Sequence, residues 1–175
     1  MVRFDFVLDS KLNVYLMEVN MSPNLSTKHF SGNRLLYEQV IYNFLRLVGI
    51  GRPGLKSSSL LPTTKEEFEM QVSDKDISVF VDDCASEKCS QPEACDQIKC
   101  KLCQHCLSSD HDEFLKMAYL EHVNRHVTKR LYPRSIGTKK EAINPKKEEP
   151  ELSDNNAIMH QWFRGKCIMD ESWCH

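Results

Sequence analysis

With 175 residues, 23 basic against 25 acidic side chains and a formal charge of −2, the chain has the size of about one domain and no global positive field. This excludes nucleic-acid binding that rests on overall charge, and it excludes a polybasic membrane anchor. A hydrophobic content of 41% and a mean hydropathy of −0.48 are low for one even core, so ordered and disordered stretches are expected side by side.

No apolar run approaches the roughly 20 residues needed to cross a bilayer, and the N-terminus lacks the charged-then-apolar layout of a signal peptide. No membrane segment is therefore expected. Residues 3–9 set Phe4, Phe6 and Leu8 against Arg3, Asp5, Val7 and Asp9, the period of two of a strand with one apolar face and with Asp5 and Asp9 on the other. The chain opens inside this pattern, which gives the expectation that it is a piece of a longer protein. After Asp9-Ser10-Lys11, residues 12–20 are again β-rich and alternating, so a hairpin is the economical reading, with Glu18 and Asn20 on one face. Asn20-Met21-Ser22-Pro23-Asn24 is turn chemistry, and Pro23 cannot continue a central ladder.

From Asn33, a candidate N-cap, Leu36, Val40, Phe44, Leu47 and Val48 recur at helical spacing until Gly49 and Gly51. The compact part is expected to end near residue 51. A Gly-, Pro- and Ser-rich linker follows at 52–75, in which Thr64 and Glu67 have the spacing of a capping box. A Cys-rich, mainly helical extension is expected at 76–133: a short strand at 76–81, six cysteines between 84 and 106, then a helix capped by Ser109 or Asp110. That helix has Phe114, Met117, Leu120, Val123, Val127 and Leu131 as its apolar side and ends at Pro133. The remainder, 134–175, reads as a mostly disordered tail. Its charged stretch to residue 156 has few large apolar groups, while Cys167 and Cys174 sit near Trp162, Phe163 and Trp173 as a docking segment or an anchor for its own fold.

If the strands pair through the turn at residues 9–12, Asp5 lies across from Glu18 and Asn20 and brings two carboxylates and an amide oxygen to one face. Mg²⁺ takes hard oxygen ligands, typically one or two carboxylates beside substrate phosphates and water. On spacing alone, polar residues on a solvated sheet face are the more ordinary reading of the pattern.

"FDFVLD", then "VYLMEVNMSPNL", then a helix ending in "NFLRLVGI", resembles the C-terminal end of the catalytic domain of the tubulin–tyrosine ligase-like family, an ATP-grasp type ligase, over about residues 1–51. The resemblance implies an α+β fold: the C-terminal β-hairpin and helix of an ATP-grasp domain, followed by the Cys-rich extension and the tail. It implies that Asp5, Glu18 and Asn20 hold Mg²⁺ against the phosphates of ATP, as binding rather than catalytic residues. It further implies an ATP-dependent carboxylate–amine ligase acting on tubulin or another acidic protein through an acyl phosphate, with free glutamate the favoured amino acid and a tubulin polyglutamylase the favoured identity. The expected setting is cytoplasmic, on the microtubule cytoskeleton, although a membrane-anchored or lumenal parent stays compatible. Many members carry Gly directly before the Phe-Asp pair, where this chain has Arg3. The family's nucleotide-binding lysines and amino-acid site lie upstream of such a hairpin, so this chain alone is expected to be inactive. Lys28 and Arg34 read as solvated surface, and no role is assigned to Ser22 or to the lone His29.

The cysteines leave three readings open: zinc, disulfides and unligated thiols. Cys84, Cys89, Cys95, Cys100, Cys103 and Cys106, with His122 and His126 one helical turn apart, fit a broad Zn²⁺ template numerically. An even set of six cysteines in a segment with little other core equally fits disulfides. The alternative to a ligase is a non-catalytic interaction module built on this extension.

Overall fold

The computed structural model describes residues 1–28, 30–50, 70–145 and 153–175. The linker at 52–75 up to residue 69, its Thr64 and Glu67 capping box, His29 and the tail stretch 146–152 lie outside the described residues.

Two strands, β1 (Arg3–Leu8) and β2 (Val14–Asn20), pair antiparallel. One carboxylate builds the turn between them. Asp9 Oδ1 accepts the backbone N–H groups of Lys11 at 2.8 Å and Asn13 at 2.9 Å, and Oδ2 accepts Asn13 Nδ2 at 2.8 Å. The Asn13 side-chain bond, with the backbone bonds beside it, holds the Asp9 carboxyl below its ordinary range. Asp9 therefore closes the turn instead of extending the Asp5 face.

The register slips by one residue between Asp5 and Phe6: Asp5 faces Glu18, Phe6 faces Leu16, and Met17 has no opposite number. An unbroken alternation along residues 12–20 would carry Leu16 onto the face of Glu18 and Asn20. The bulge prevents this, gathering Phe4, Phe6, Leu8, Val14, Leu16 and Val19 on one face and Arg3, Asp5, Glu18 and Asn20 on the other.

Helix α1 (Arg34–Leu47) follows a 3₁₀ turn at Ser31–Asn33 and runs where its periodicity predicts. Gly49, at φ 81°, lets the chain leave it. None of its residues is fully buried, so its apolar stripe is only partly covered among the described residues.

The buried core lies in the second half of the chain, where the structure differs most from the sequence reading. In place of a strand at 76–81 stand two short helices, α2 (Asp74–Ile77) and α3 (Val81–Ala85), flanking a buried Val79. The Asp76 carboxylate reaches back to accept the Ser73 N–H at 2.9 Å and its hydroxyl at 2.6 Å, which starts α2. Helix α4 (Ser109–Asn124) is capped by Ser108, whose Oγ accepts the His111 N–H, and it ends well before Pro133. Leu115 and Ala118 form its buried side, whereas Met117 and Val123 stay half exposed and Val127 and Leu131 lie beyond its end.

Helix α5 (Lys139–Ile143) starts at Thr138, whose hydroxyl accepts the Glu141 N–H, and helix α6 (Asp154–Met169) runs through the centre of the core. The segment read as a disordered tail thus supplies Ile158, Trp162 and Phe163, and Trp173 follows from a terminal 3₁₀ turn at Glu171–Cys174. Ile158, Trp162 and Phe163 on α6, with Trp173 packed against them from the terminal turn, bury enough apolar surface to fix the helix. The charged flank before it conceals this in any averaged hydropathy. Trp162 Nε1 donates to the Ile77 carbonyl at 2.7 Å, joining α6 to α2. Lys166 is nearly buried; its ammonium donates to the Asp76 carbonyl at 2.8 Å and sits 4.7 Å from the centre of the Trp173 ring.

All eight cysteines are paired: Cys84–Cys103, Cys89–Cys100, Cys95–Cys106 and Cys167–Cys174, with Cα separations from 4.6 to 5.5 Å. The first encloses the second and the third crosses both. Closing loops of such length stabilises a small domain by about 2–4 kcal/mol each.

A Cβ added to Gly165 would lie 2.6 Å from Val79 Cβ, so α6 packs against this segment at glycine distance. Gly165→Ala is expected to lower stability by about 1–3 kcal/mol, read from denaturant melts. His122 stacks on Trp173 at 3.9 Å, and burial first, then Arg125, Arg130 and Lys166, push its pKa from 6.5 to about 3, against a smaller opposing effect of Asp170. The unfolded chain then binds a proton in that window that the folded chain does not. The stability held by the neutral imidazole is full above about pH 6.5 and is lost as pH falls toward 3. His122→Gln is expected to flatten the fall of the melting midpoint across this window; an unchanged fall would contradict the assignment.

Candidate functional site

The polar face of the hairpin assembles from four side chains that the bulge aligns. Asp5 and Glu18 are a directly opposed cross-strand pair, and Arg3 and Asn20 are the next pair along. Two like charges in this position repel, and the structure shows what offsets them. Arg3 grips Asp5 with both arms of its guanidinium, Nε to Oδ1 at 2.7 Å and Nη2 to Oδ2 at 2.9 Å, and its Nη2 lies 3.8 Å from Glu18 Oε1. Asn20 Nδ2 donates to Glu18 Oε1 at 2.9 Å and to Asp5 Oδ2 at 3.2 Å, bridging the carboxylates. The Arg3 hydrogen bond is the main reason the Asp5 carboxyl sits below its ordinary range, with Coulombic attraction to Arg3 and the Asn20 bond adding to it. The face remains open: Arg3, Asp5 and Glu18 side chains are 44%, 34% and 62% exposed.

This donor set fits a divalent cation. Two carboxylates converge on a shared amide, and turning the Asn20 amide about its last bond would present its oxygen in place of its nitrogen. All three are then hard oxygen donors of the kind Mg²⁺ prefers. The position of Arg3 is the feature that sequence reasoning left unassigned. Its signal was available: residues 3 and 5 of one strand share a face, so a guanidinium stands beside the carboxylate it can clamp. Of the more peripheral candidates, Arg34 pairs with Glu38 at 2.7 Å across one turn of α1, and Lys28 is exposed.

The zinc template is not assembled. Cys103 and Cys106 belong to different disulfides, their partners being Cys84 and Cys95, and Cys89 and Cys100 are joined to each other. His122 is packed against Trp173, and His126 lies past the end of α4, in the left-handed region at φ 47°. Among the described residues, the group of three metal-type side chains whose ligand atoms fall within 4.8 Å is Cys95, His105 and Cys106. Two of those sulfurs are bonded to each other, and His105 Nε2 lies 2.7 Å from the Cys89 carbonyl.

Because Arg3 occupies the acidic face as an internal counter-ion, Arg3→Ala is expected to tighten Mg²⁺ or Mn²⁺ binding by this chain severalfold in a calorimetric titration, and Glu18→Gln to weaken it. Equal affinities in all three proteins would remove the face as a cation site.

Residues 1–59, which include this hairpin and α1, match the sequence profile of the tubulin-tyrosine ligase family. A probable tubulin polyglutamylase of Caenorhabditis elegans, ttll-15, is 36% identical over 174 residues, covering 98% of this chain and 31% of that protein. The match runs through the cysteine-rich extension as well as the hairpin, and the chain spans under a third of the length of the curated relative it matches. No solved structure matches the chain. On the hairpin's sequence and the extent of these likenesses, the chain belongs to the tubulin-tyrosine ligase family.

Proposed function

We propose that the hairpin is the cation-holding end of the nucleotide site of an ATP-dependent carboxylate–amine ligase that extends acidic proteins by one amino acid at a time. The observation that carries this reading is the opposed pair Asp5 and Glu18, bridged by Asn20 on the face that the bulge separates from the apolar one. Asp5, Glu18 and Asn20 would hold Mg²⁺, which when bound neutralises phosphate charge during phosphoryl transfer. The chain's own residues position charge and do no covalent chemistry. Arg3, released from Asp5, is within reach of the same face and offers a planar fork for a phosphate oxygen pair. The acceptor carboxylate takes the terminal phosphoryl group of ATP to give an acyl phosphate, the bond from that phosphorus to the bridging oxygen breaking so that ADP leaves. The incoming amine then attacks the acyl carbon, the new amide C–N bond forms, and inorganic phosphate leaves with the amine having lost a proton.

Tubulin, named in the relative, is the first acceptor to test, and glutamate the first amino acid. This activity belongs to the whole protein that carries the chain. Groups for adenine and for the amino acid would come from parts of such a ligase other than this hairpin.

The test is incorporation of labelled glutamate, tyrosine and glycine into tubulin and into other acidic proteins by the full-length protein, with Glu18 intact and with Glu18→Gln. Incorporation of one amino acid, reduced at least about a hundredfold in the variant as expected for loss of a preorganised charge-stabilising group, supports the reading. No incorporation by a folded full-length protein favours the interaction module instead.

A further inference from the structure

We propose that the described residues 70–145 and 153–175 form a disulfide-maintained module completed in an oxidising compartment.

Eight cysteines allow 105 different complete pairings. The fold brings every one of them into a partner's reach, at Cα separations of 5.5, 5.3, 5.3 and 4.6 Å, within the range that disulfides span. No thiol is left over. The sulfurs also take the place of a core. Between residues 84 and 106 the buried apolar side chains are Cys89, Ala94, Cys100, Leu102 and Cys103, and the local cluster consists of the cysteines and one alanine. Farther on, Cys167 and Cys174 are both fully buried and, with Ile136 and Ala142, tie α6 to α5 and to the terminal turn that carries Trp173. As thiols these groups would pack loosely, and the 84–106 segment, whose regular structure is a few short turns, would have little else to hold it. The competing explanation, the zinc template, is not assembled: His122 lies in the aromatic core, His126 lies beyond the helix end, and the two cysteines nearest His105, Cys95 and Cys106, are bonded to each other.

Each bridge forms when two thiols give up two electrons and two protons to an exchanging disulfide oxidant, which leaves as a dithiol. Four bridges consume four such disulfides and release eight oxidant thiols. Reducing cytosol opposes that sequence, whereas secretory and extracellular spaces sustain it. The framework therefore favours the lumenal alternative to the cytoplasmic setting for the folding of this module. Alignment of the relative across the extension makes the module a shared part of both proteins.

The test is a thiol census on the full-length protein from cells that make it. Cells are quenched in acid, free thiols are alkylated before lysis, and the protein is mapped by non-reducing digestion. The proposal expects no alkylation at any of the eight cysteines, and a mass that rises by about 8 Da on reduction, one hydrogen per cysteine. Alkylation at most of Cys84–Cys106, or one bound zinc per chain with those thiols reduced, overturns it. As a second arm, Cys167→Ser with Cys174→Ser removes the terminal bridge alone. It should leave the three bridges of the 84–106 segment intact and make the α6 region open earlier in hydrogen exchange; unchanged exchange there overturns the structural role given to that bridge. A protein with all four bridges and no ligation activity counts against the ligase reading and leaves this proposal standing.

Discussion

Two carboxylates set directly opposite each other on paired strands repel, and the hairpin is built so that they cannot escape. A strictly alternating β2 would have put Leu16 on their face and weakened the distinction between the two sides of the ribbon. The unpaired Met17 absorbs the mismatch, so that Asp5 meets Glu18 while the Phe4, Phe6 and Leu8 row still meets the Val14, Leu16 and Val19 row. Everything proposed for the face follows from that register. Arg3 becomes a clamp because it lies two residues from Asp5, and Asn20 becomes a bridge because it lies two from Glu18. In this state the chain itself offsets one of the two negative charges, which gives a nucleotide-bound cation a competitor to displace.

The second half of the chain solves a different problem. It has few large aliphatic residues, and it substitutes two other kinds of apolar matter. One is aromatic: Trp162 packs edge-on against Phe163 and Trp173, while His122 lies flat on Trp173 and Arg130 covers the face of Phe163 at 3.4 Å. The other is sulfur, buried in pairs under short turns. Burial in this ring cluster, with the nearby cations adding to it, keeps His122 neutral, and the near-buried Lys166 is made tolerable by a carbonyl and a π face.

Much of the first fifty residues was legible in the sequence because local period and local chemistry agree there. The alternation of Phe4, Phe6 and Leu8, the polar turn at residues 9–11 and the stripe of α1 each indicate the element that forms. The identity of the opposed residues was legible too; the bulge was not, because nothing in the alternation of residues 12–20 marks Met17 as the extra one. The extension was read less well for physical reasons. Short helices such as α2 and α3 leave no period to detect, and a valine and a phenylalanine between them mimic a strand. Helix α6 hides behind a charged segment, and its stability comes from a few very large side chains that average composition dilutes. The cysteine spacing fitted a zinc template as well as a set of bridges. Only the three-dimensional placement of His122 and His126 separates the two.

The claim on which the account turns is that Asp5, Glu18 and Asn20 receive one cation together. The most direct measurement is paramagnetic line broadening of the chain's backbone and side-chain NMR signals on titration with Mn²⁺. The account predicts early, simultaneous loss of the Asp5, Glu18 and Asn20 signals, with the apolar-face residues Leu8 and Val14 affected last, and reversal of the effect by excess Mg²⁺. Broadening spread evenly over exposed carboxylates, or centred on another acidic surface such as Asp82 and Asp83, would contradict it.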